Sequence, residues 1–211
     1  GRPVAGGLAW PPNGVTDDGT LDVLRATGAQ VVVLSSAALP PTPPVPYTPS
    51  SAVDLATGGS PLRAAAFDPV VSRLVTLPAP TTKTPDDDPV ARRQQALAEI
   101  ALTTLQLPEV SRTFVIAPPM RWATDAVSGR ELVTAVADSP WARPYRLDAL
   151  VVGGTSSVPR QRADYPPAAR KAELSRSYLA SVARTRESLA GLRSVAPDVP
   201  GTGTTGTEGY E

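Results

Sequence analysis

The sequence predicts a mixed α/β fold with parallel strands, and three observations support this. Short apolar segments alternate with amphipathic ones along the 211 residues. Residues 31–34 form an uninterrupted Val/Leu run, which indicates a strand covered on both faces, as in a parallel sheet. A strand-like segment, a turn and a helical segment precede that run, so the order is that of a βαβ unit.

The first strand, 8–10, ends at the turn signal of residues 11–14. Thr16 or Asp17 can cap the helix that follows, and Gly28 stands where this helix should end. The residues expected on its buried side are Leu21, Val23 and Leu24.

A Pro-rich loop, 36–50, follows the strand at 31–34, and loops of this length are often functional. Residues 53–55 and 62–67 then predict a β-hairpin around a Gly-Gly turn. Asp68 directly precedes a short apolar helix, and residues 77–89 form a second Pro-rich loop.

The clearest helix is predicted over 89–106, where Asp88 caps its start and Pro108 follows its end. A strand at 113–117 comes next, followed by a helix near 130–137 with Leu132, Val133 and Val136 expected to be buried. The apolar stripe of the 89–106 helix consists of Leu97, Ile100, Ala101 and Leu105.

Apolar residues at helical spacing predict one long amphipathic helix over 168–194. We expect residues 1–196 to form one domain and the Gly/Thr-rich tail, 197–211, to be disordered. The residues at helical spacing are Leu174, Tyr178, Val182, Leu189 and Leu192.

The chain contains no His and no Cys, and this excludes several classes of site. A Ser-His-Asp triad, a Cys-His dyad, haem, an iron–sulfur cluster and an ordinary zinc site all need one of these residues. Lys+Arg and Asp+Glu both number 20, so the zero net charge gives no electrostatic footprint for nucleic acid or for an anionic membrane. We therefore expect no metal, no cofactor and no nucleic-acid partner.

Three predicted strands end in loops of similar kind, at Trp10, at Asp68 and at residues 118–122. The carboxyl ends of parallel strands form the ligand-binding edge of α/β folds. Parallel strands would therefore bring one set of side chains to a common rim: Trp10, Asn13, Asp17, Ser35, Asp68, Arg121 and Trp122.

Four segments carry a family resemblance: Ala9-Trp10-Pro11-Pro12-Asn13-Gly14, residues 28–35, Ala98-Glu99 and residues 115–122, which read Val-Ile-Ala-Pro-Pro-Met-Arg-Trp. Together they resemble an uncharacterised actinobacterial cell-envelope family, whose members are often labelled glycoprotein or domain of unknown function. The resemblance covers about residues 5–195. It implies a partial (β/α) barrel similar to those of polysaccharide deacetylases and glycoside hydrolases, cut from a longer chain.

The same resemblance implies an extracytoplasmic protein, membrane-anchored at full length and encoded near the lipid II flippase. It therefore suggests a glycan or peptidoglycan component, or a membrane protein, as partner. Deacetylases of this barrel type use a His-containing metal site, which this chain cannot form. The expected function is thus a non-catalytic envelope protein that binds glycan or an envelope partner.

Each candidate residue has a functional and a structural interpretation. Asp68 is either a general acid or nucleophile of a glycosidase-like hydrolase, with a second carboxylate elsewhere, or a helix N-cap. Glu99 is either a second rim carboxylate or a solvated helix residue. Trp10, Arg121 and Trp122 either contact a sugar or pack the end of the barrel. Trp122 is the strongest of the ligand-binding candidates.

Overall fold

The computed structural model describes residues 7–55, 62–75, 88–118, 126–147, 149–162 and 165–195. The chain divides into two compact units, Gly1–Pro166 and Pro167–Glu211, which are described separately. Within the described ranges, no helix combines the length and the apolar character needed to cross a bilayer.

The first unit is a mixed α/β structure built on a four-stranded sheet of order β1-β2-β4-β3. Strands β1, β2 and β4 are parallel, and β3 pairs antiparallel to β4 in the predicted hairpin. The strands are β1 (Leu8–Ala9), β2 (Val31–Ser35), β3 (Ala52–Leu55) and β4 (Leu62–Phe67). The prediction of parallel strands in a mixed α/β fold is confirmed.

The predicted strand at 113–117 is reduced to a parallel bridge between Val115 and Phe67, beside the end of β4. Serine hydroxyls, and not strand carbonyls, accept two of the backbone N–H groups of this segment. The Ser51 hydroxyl accepts the Val115 N–H at 3.2 Å, and the Ser72 hydroxyl accepts the Ala117 N–H at 3.0 Å. Ser51 stands before β3 and Ser72 in a helix, so residues outside the ladder hold this segment in place.

Both faces of β2 are buried, which explains its lack of polar alternation. Val32 and Leu34 join one core cluster with Leu21, whereas Val31 and Val33 join a second cluster with Phe67. Burying a Val or Leu side chain stabilises the fold by about 1.5–3 kcal/mol. The central strand therefore supports both layers.

Three of the five α-helices that the structure describes in this unit begin at a capping Asp, as predicted. Asp17 accepts the Thr20 N–H, Asp68 the Val70 and Val71 N–H groups, and Asp88 the Val90 N–H. The helices are α1 (Asp18–Ala26), α2 (Pro69–Leu74), α3 (Pro89–Gln106), α4 (Ala126–Ala137) and α5 (Ala149–Val152).

Three residues of the predicted apolar helix faces are exposed: Val23 at 62%, Val133 at 65% and Leu105 at 70%. Leu21 faces the sheet from α1, so Val23, two residues on, points away from it. In α3 the buried pair is Ala96 and Ile100, which contact α2 and lie one helical turn apart.

Arg63 of β4 connects the sheet to the segment around α5. Its Nη1 donates to the carbonyls of Leu150, at 2.6 Å, and Gly153, at 2.7 Å. Its Nε donates to Asp54 of β3 at 3.0 Å, and Asp54 also accepts the Thr155 hydroxyl at 2.9 Å. One guanidinium thus fixes an otherwise irregular segment across the hairpin.

The second unit contains α6 (Pro167–Lys171) and α7 (Arg176–Val195) in place of one continuous helix. The break comes where the Ser175 hydroxyl accepts the Tyr178 N–H at 3.2 Å, which is an N-cap contact at the start of α7. The apolar stripe predicted for this segment is largely exposed. Its residues Leu174, Tyr178, Leu189 and Leu192 are 47–67% exposed.

We predict that Gly14→Ala destabilises the fold more than Gly28→Ala. Both glycines have positive φ, at 65° and 90°, which costs alanine about 1–2 kcal/mol. A Cβ at Gly14 would also stand 2.5 Å from Ser35 N and closer still to Phe67 Cε1, whereas a Cβ at Gly28 meets nothing within 4 Å. Overpacking adds about 1–3 kcal/mol. Urea unfolding of both variants measures the difference, and equal losses would contradict the close approach at Gly14.

Candidate functional site

A cleft of about 220 Å³ lies at the carboxyl edge of the parallel strands. Ser36 comes directly after β2 and Asp68 directly after β4, so both strand ends contribute. Tyr47 contributes from the Pro-rich loop and Arg160 from much further along the chain. We call this the sheet-edge cleft. Its polar and aromatic lining comprises Ser36, Tyr47, Thr48, Ser51, Asp68, Phe114 and Arg160.

The Pro-rich loop, 36–50, forms one wall of the cleft and is held from outside. Six of its residues are prolines, which have a carbonyl but no N–H to donate. Arg112 Nη1 donates to Thr48 O at 2.8 Å, and the Gln106 side-chain oxygen accepts the Thr48 N–H at 2.7 Å. The loop is therefore fixed beside the end of α3.

Arg160 holds the same loop from the other side. Its Nη1 donates to Leu39 O at 2.9 Å, and its Nη2 donates to Ser50 O at 3.1 Å and to Pro49 O at 3.4 Å. Burial lowers the pKa of the Arg160 guanidinium below its ordinary value. Its Nε–H is buried and finds no acceptor among the described residues. Arg160 is thus a cation in a partly desolvated wall, bonded to neutral carbonyls.

Asp68 lines the cleft while its Oδ1 caps α2. This oxygen accepts the N–H groups of Val70 at 2.8 Å and Val71 at 2.9 Å. Such bonds fix the orientation of the carboxylate. Asp68 is therefore placed to accept a hydrogen bond from a ligand, and it is the one carboxylate in the cleft lining that the structure describes.

The structure separates the residues predicted to share one rim. Trp10 packs against the second core cluster, with Val33 and Phe67, and does not line the sheet-edge cleft. Asn13 and Ser35 line a second, smaller cleft of about 140 Å³ with Tyr165. Asp17 caps α1.

Two further candidates, Arg121 and Trp122, lie outside the described residues, and their predicted binding role stays a prediction. Glu99 is half-buried in α3 and does not line the cleft. Across the described part of the chain, no group of three or more acidic residues is close enough to hold a metal ion.

The site residues predicted from the sequence did not include Arg160, Tyr47 or the serines of the cleft. Their positions, 36, 47, 51 and 160, are brought together only by the fold. One signal was present: a loop rich in proline has more carbonyls than N–H groups, and arginine is the side chain with most donors. Arginines in neighbouring loops were therefore candidates to complete its hydrogen bonds.

Comparison with known proteins gives one clear match. A family model described as a family of unknown function, DUF6049, matches residues 4–206, so the chain belongs to that family. No curated protein matches. A similar solved structure is the 4-alpha-glucanotransferase of Thermococcus litoralis, at 13% identity and a TM-score of 0.48. The match covers 75% of this chain and spans 24% of the glucanotransferase.

We predict that Arg160→Lys loosens the Pro-rich loop, because one ammonium cannot reproduce a planar fork that serves three carbonyls. The expected loss is about 1.5–3 kcal/mol of unfolding free energy, with faster hydrogen exchange over residues 39–50. Arg162→Lys is the matched control, since Arg162 pairs with the exposed Asp18 and surface pairs contribute about 0–1 kcal/mol. Equal effects of the two variants would refute the loop-holding role of Arg160.

Proposed function

We propose that this member of the DUF6049 family is a non-catalytic cell-envelope protein whose sheet-edge cleft binds glycan or another envelope component. One observation carries the proposal: the cleft carboxylate, Asp68, is oriented by two backbone N–H groups and has no second carboxylate beside it in the described lining. A fixed acceptor of this kind suits binding, whereas glycoside hydrolysis generally requires two carboxyl groups.

The remaining lining supports a glycan in particular. Tyr47 supplies an aromatic ring, and sugar rings pack their C–H faces on such rings. Ser36, Thr48 and Ser51 add hydroxyls that can both donate and accept hydrogen bonds, as sugar hydroxyls do. The loop that carries Tyr47 and Thr48 is already fixed by Arg112 and Arg160, which reduces the entropy cost of binding.

The wider setting of the function is also part of the proposal. We propose that the fold is a partial (β/α) barrel. The parallel order of β1, β2 and β4, continued by the bridge at Val115, supports this. The protein is proposed to act on the extracytoplasmic side of the envelope, membrane-anchored at full length. A peptidoglycan component or a membrane protein of its synthesis is the proposed partner, on the resemblance described above.

A glycosidase-like hydrolase is the alternative function, and the position of Asp68 favours it. Barrel enzymes place their catalytic groups at the carboxyl ends of strands, where Asp68 stands after β4. A retaining mechanism needs a second carboxyl about 5–5.5 Å away, and an inverting one needs it about 6.5–9.5 Å away. If the protein is a hydrolase, another carboxylate completes the catalytic pair with Asp68.

We predict that Asp68→Asn weakens binding of soluble peptidoglycan fragments and chitooligosaccharides by about tenfold, since it removes a charged acceptor. Asparagine is as good an N-cap as aspartate, so stability should change little. Asp88→Asn is the matched control, because Asp88 caps α3 in the same way and does not line the cleft. Calorimetric titration gives the affinities, and thermal melting gives the stabilities.

The same two variants separate the functions. Binding that falls for Asp68→Asn alone, with no release of reducing ends by the unaltered chain, supports the binding module. Release of reducing ends that Asp68→Asn abolishes supports the hydrolase. If neither glycan binds the unaltered chain, the glycan proposal is wrong.

A further inference from the structure

The smaller cleft, of about 140 Å³, lies at the carboxyl edge of the same sheet as the sheet-edge cleft. Asn13 stands four residues beyond β1, and Ser35 is the last residue of β2, so two neighbouring parallel strands bring them together. All of its described lining residues belong to the first unit. We call it the Asn13 cleft.

The polar groups of the Asn13 cleft are uncharged. Asn13 is exposed, and its side-chain amide makes no hydrogen bond within the described part of the chain. The Ser35 hydroxyl accepts the Ala37 N–H at 3.3 Å and keeps its own proton for donation. Tyr165 adds a half-buried ring, and no described lining residue carries a charge. An aromatic ring beside a neutral amide and a hydroxyl suits the C–H face and the hydroxyls of a sugar.

The backbone at position 13 does not by itself require an asparagine. Asn13 has a φ of 55°, a conformation that asparagine tolerates and glycine adopts freely. It is the single asparagine of the chain, which has 16 glycines. Glycine would satisfy the turn equally well, so the amide is additional to the needs of the backbone.

The Asn13 cleft and the sheet-edge cleft are built from the same two segments. Ser35 lines the first and Ser36 lines the second, and the Cα atoms of consecutive residues are about 3.8 Å apart. Later in the chain, Arg160 lines the sheet-edge cleft and Tyr165, five residues on, lines the Asn13 cleft. The two clefts are therefore neighbours.

Hydrogen bonds and an ion pair hold these two segments in place. The Gln161 N–H donates to the Pro40 carbonyl at 3.0 Å, which joins the later segment to the Pro-rich loop. Arg162 pairs with Asp18, which joins it to α1. Because the wall that the clefts share is fixed, one ligand can contact both without ordering it first.

We propose that the Asn13 cleft binds an uncharged sugar ring, and that one oligosaccharide occupies this cleft and the sheet-edge cleft together. The inference rests on the proposed function and narrows its ligand to a chain of sugars. Asn13 and Ser35 bond the hydroxyl or acetamido groups of the ring, and Tyr165 packs against its C–H face. A ring held in one cleft keeps the rest of the chain close to the other, so the second contact adds affinity at little further entropy cost.

The test is calorimetric titration of the 211-residue chain with the disaccharide and the hexasaccharide of N-acetylglucosamine. Asn13→Gly keeps the backbone conformation and removes the amide. It should weaken binding of the hexasaccharide about fivefold, the value of one neutral hydrogen bond, and leave binding of the disaccharide in the sheet-edge cleft unchanged. Tyr165→Ala should weaken the hexasaccharide about tenfold. Tyr145→Ala is the matched control, because Tyr145 is exposed and lines neither cleft.

The outcomes separate this inference from the proposed function. If Asp68→Asn weakens binding but Asn13→Gly and Tyr165→Ala bind the hexasaccharide as the unaltered chain does, the Asn13 cleft is not a sugar site and the proposed function stands. Equal losses for both sugar lengths also overturn the inference, because a single ring site would then explain them. Absence of binding by either sugar overturns the proposed function, and the inference with it. Thermal melting checks that the variants are folded.

Discussion

Hydrogen bonds from arginine to distant carbonyls hold the irregular parts of the first unit in place. Arg63 donates to carbonyls near α5, Arg112 to Thr48, Thr103 and Thr104, and Arg160 to three carbonyls around the Pro-rich loop. The cause is compositional: with 25 prolines, many segments cannot form helix or sheet ladders, yet their carbonyls still need donors. A guanidinium carries five donors in a rigid plane and can serve several carbonyls at once. The four-stranded sheet supplies the core, and the arginines fix the loops around it.

The sheet-edge cleft follows from the same constraint. Its floor consists of the ends of β2 and β4, and its wall is a loop that two arginines hold. Asp68 belongs to both floor and helix, because its carboxylate caps α2 and also lines the cleft. The structural and the functional interpretations of this residue are therefore compatible. A cap that points its carboxylate into a cleft is a fixed acceptor, and a fixed acceptor loses little freedom when a ligand binds.

Elements that depend on neighbouring residues were predicted well from the sequence. Contacts between residues far apart in the chain could not be predicted. The caps at Asp17, Asp68 and Asp88, the hairpin and the doubly buried β2 depend on residues within a few positions of each other. The cleft depends on residues as far apart as Ser36 and Arg160, and nothing in one sequence relates them. The errors in burial have the same origin. Apolar spacing in 168–194 correctly predicted a helical face, but spacing cannot show whether a neighbour covers that face.

The zero net charge of the whole chain is also a misleading guide to its possible partners. A total of zero argues against an electrostatic partner only if charges of both signs are mixed over the surface. Here residues 167–195 carry a net charge of +4, residues 196–211 a net charge of −3 and residues 1–166 a net charge of −1. Screening limits electrostatic attraction to about 8–10 Å in physiological salt, so a surface interacts with the charges near it and not with the total. A partner therefore meets local charges of either sign, and the zero total excludes neither a cationic nor an anionic one.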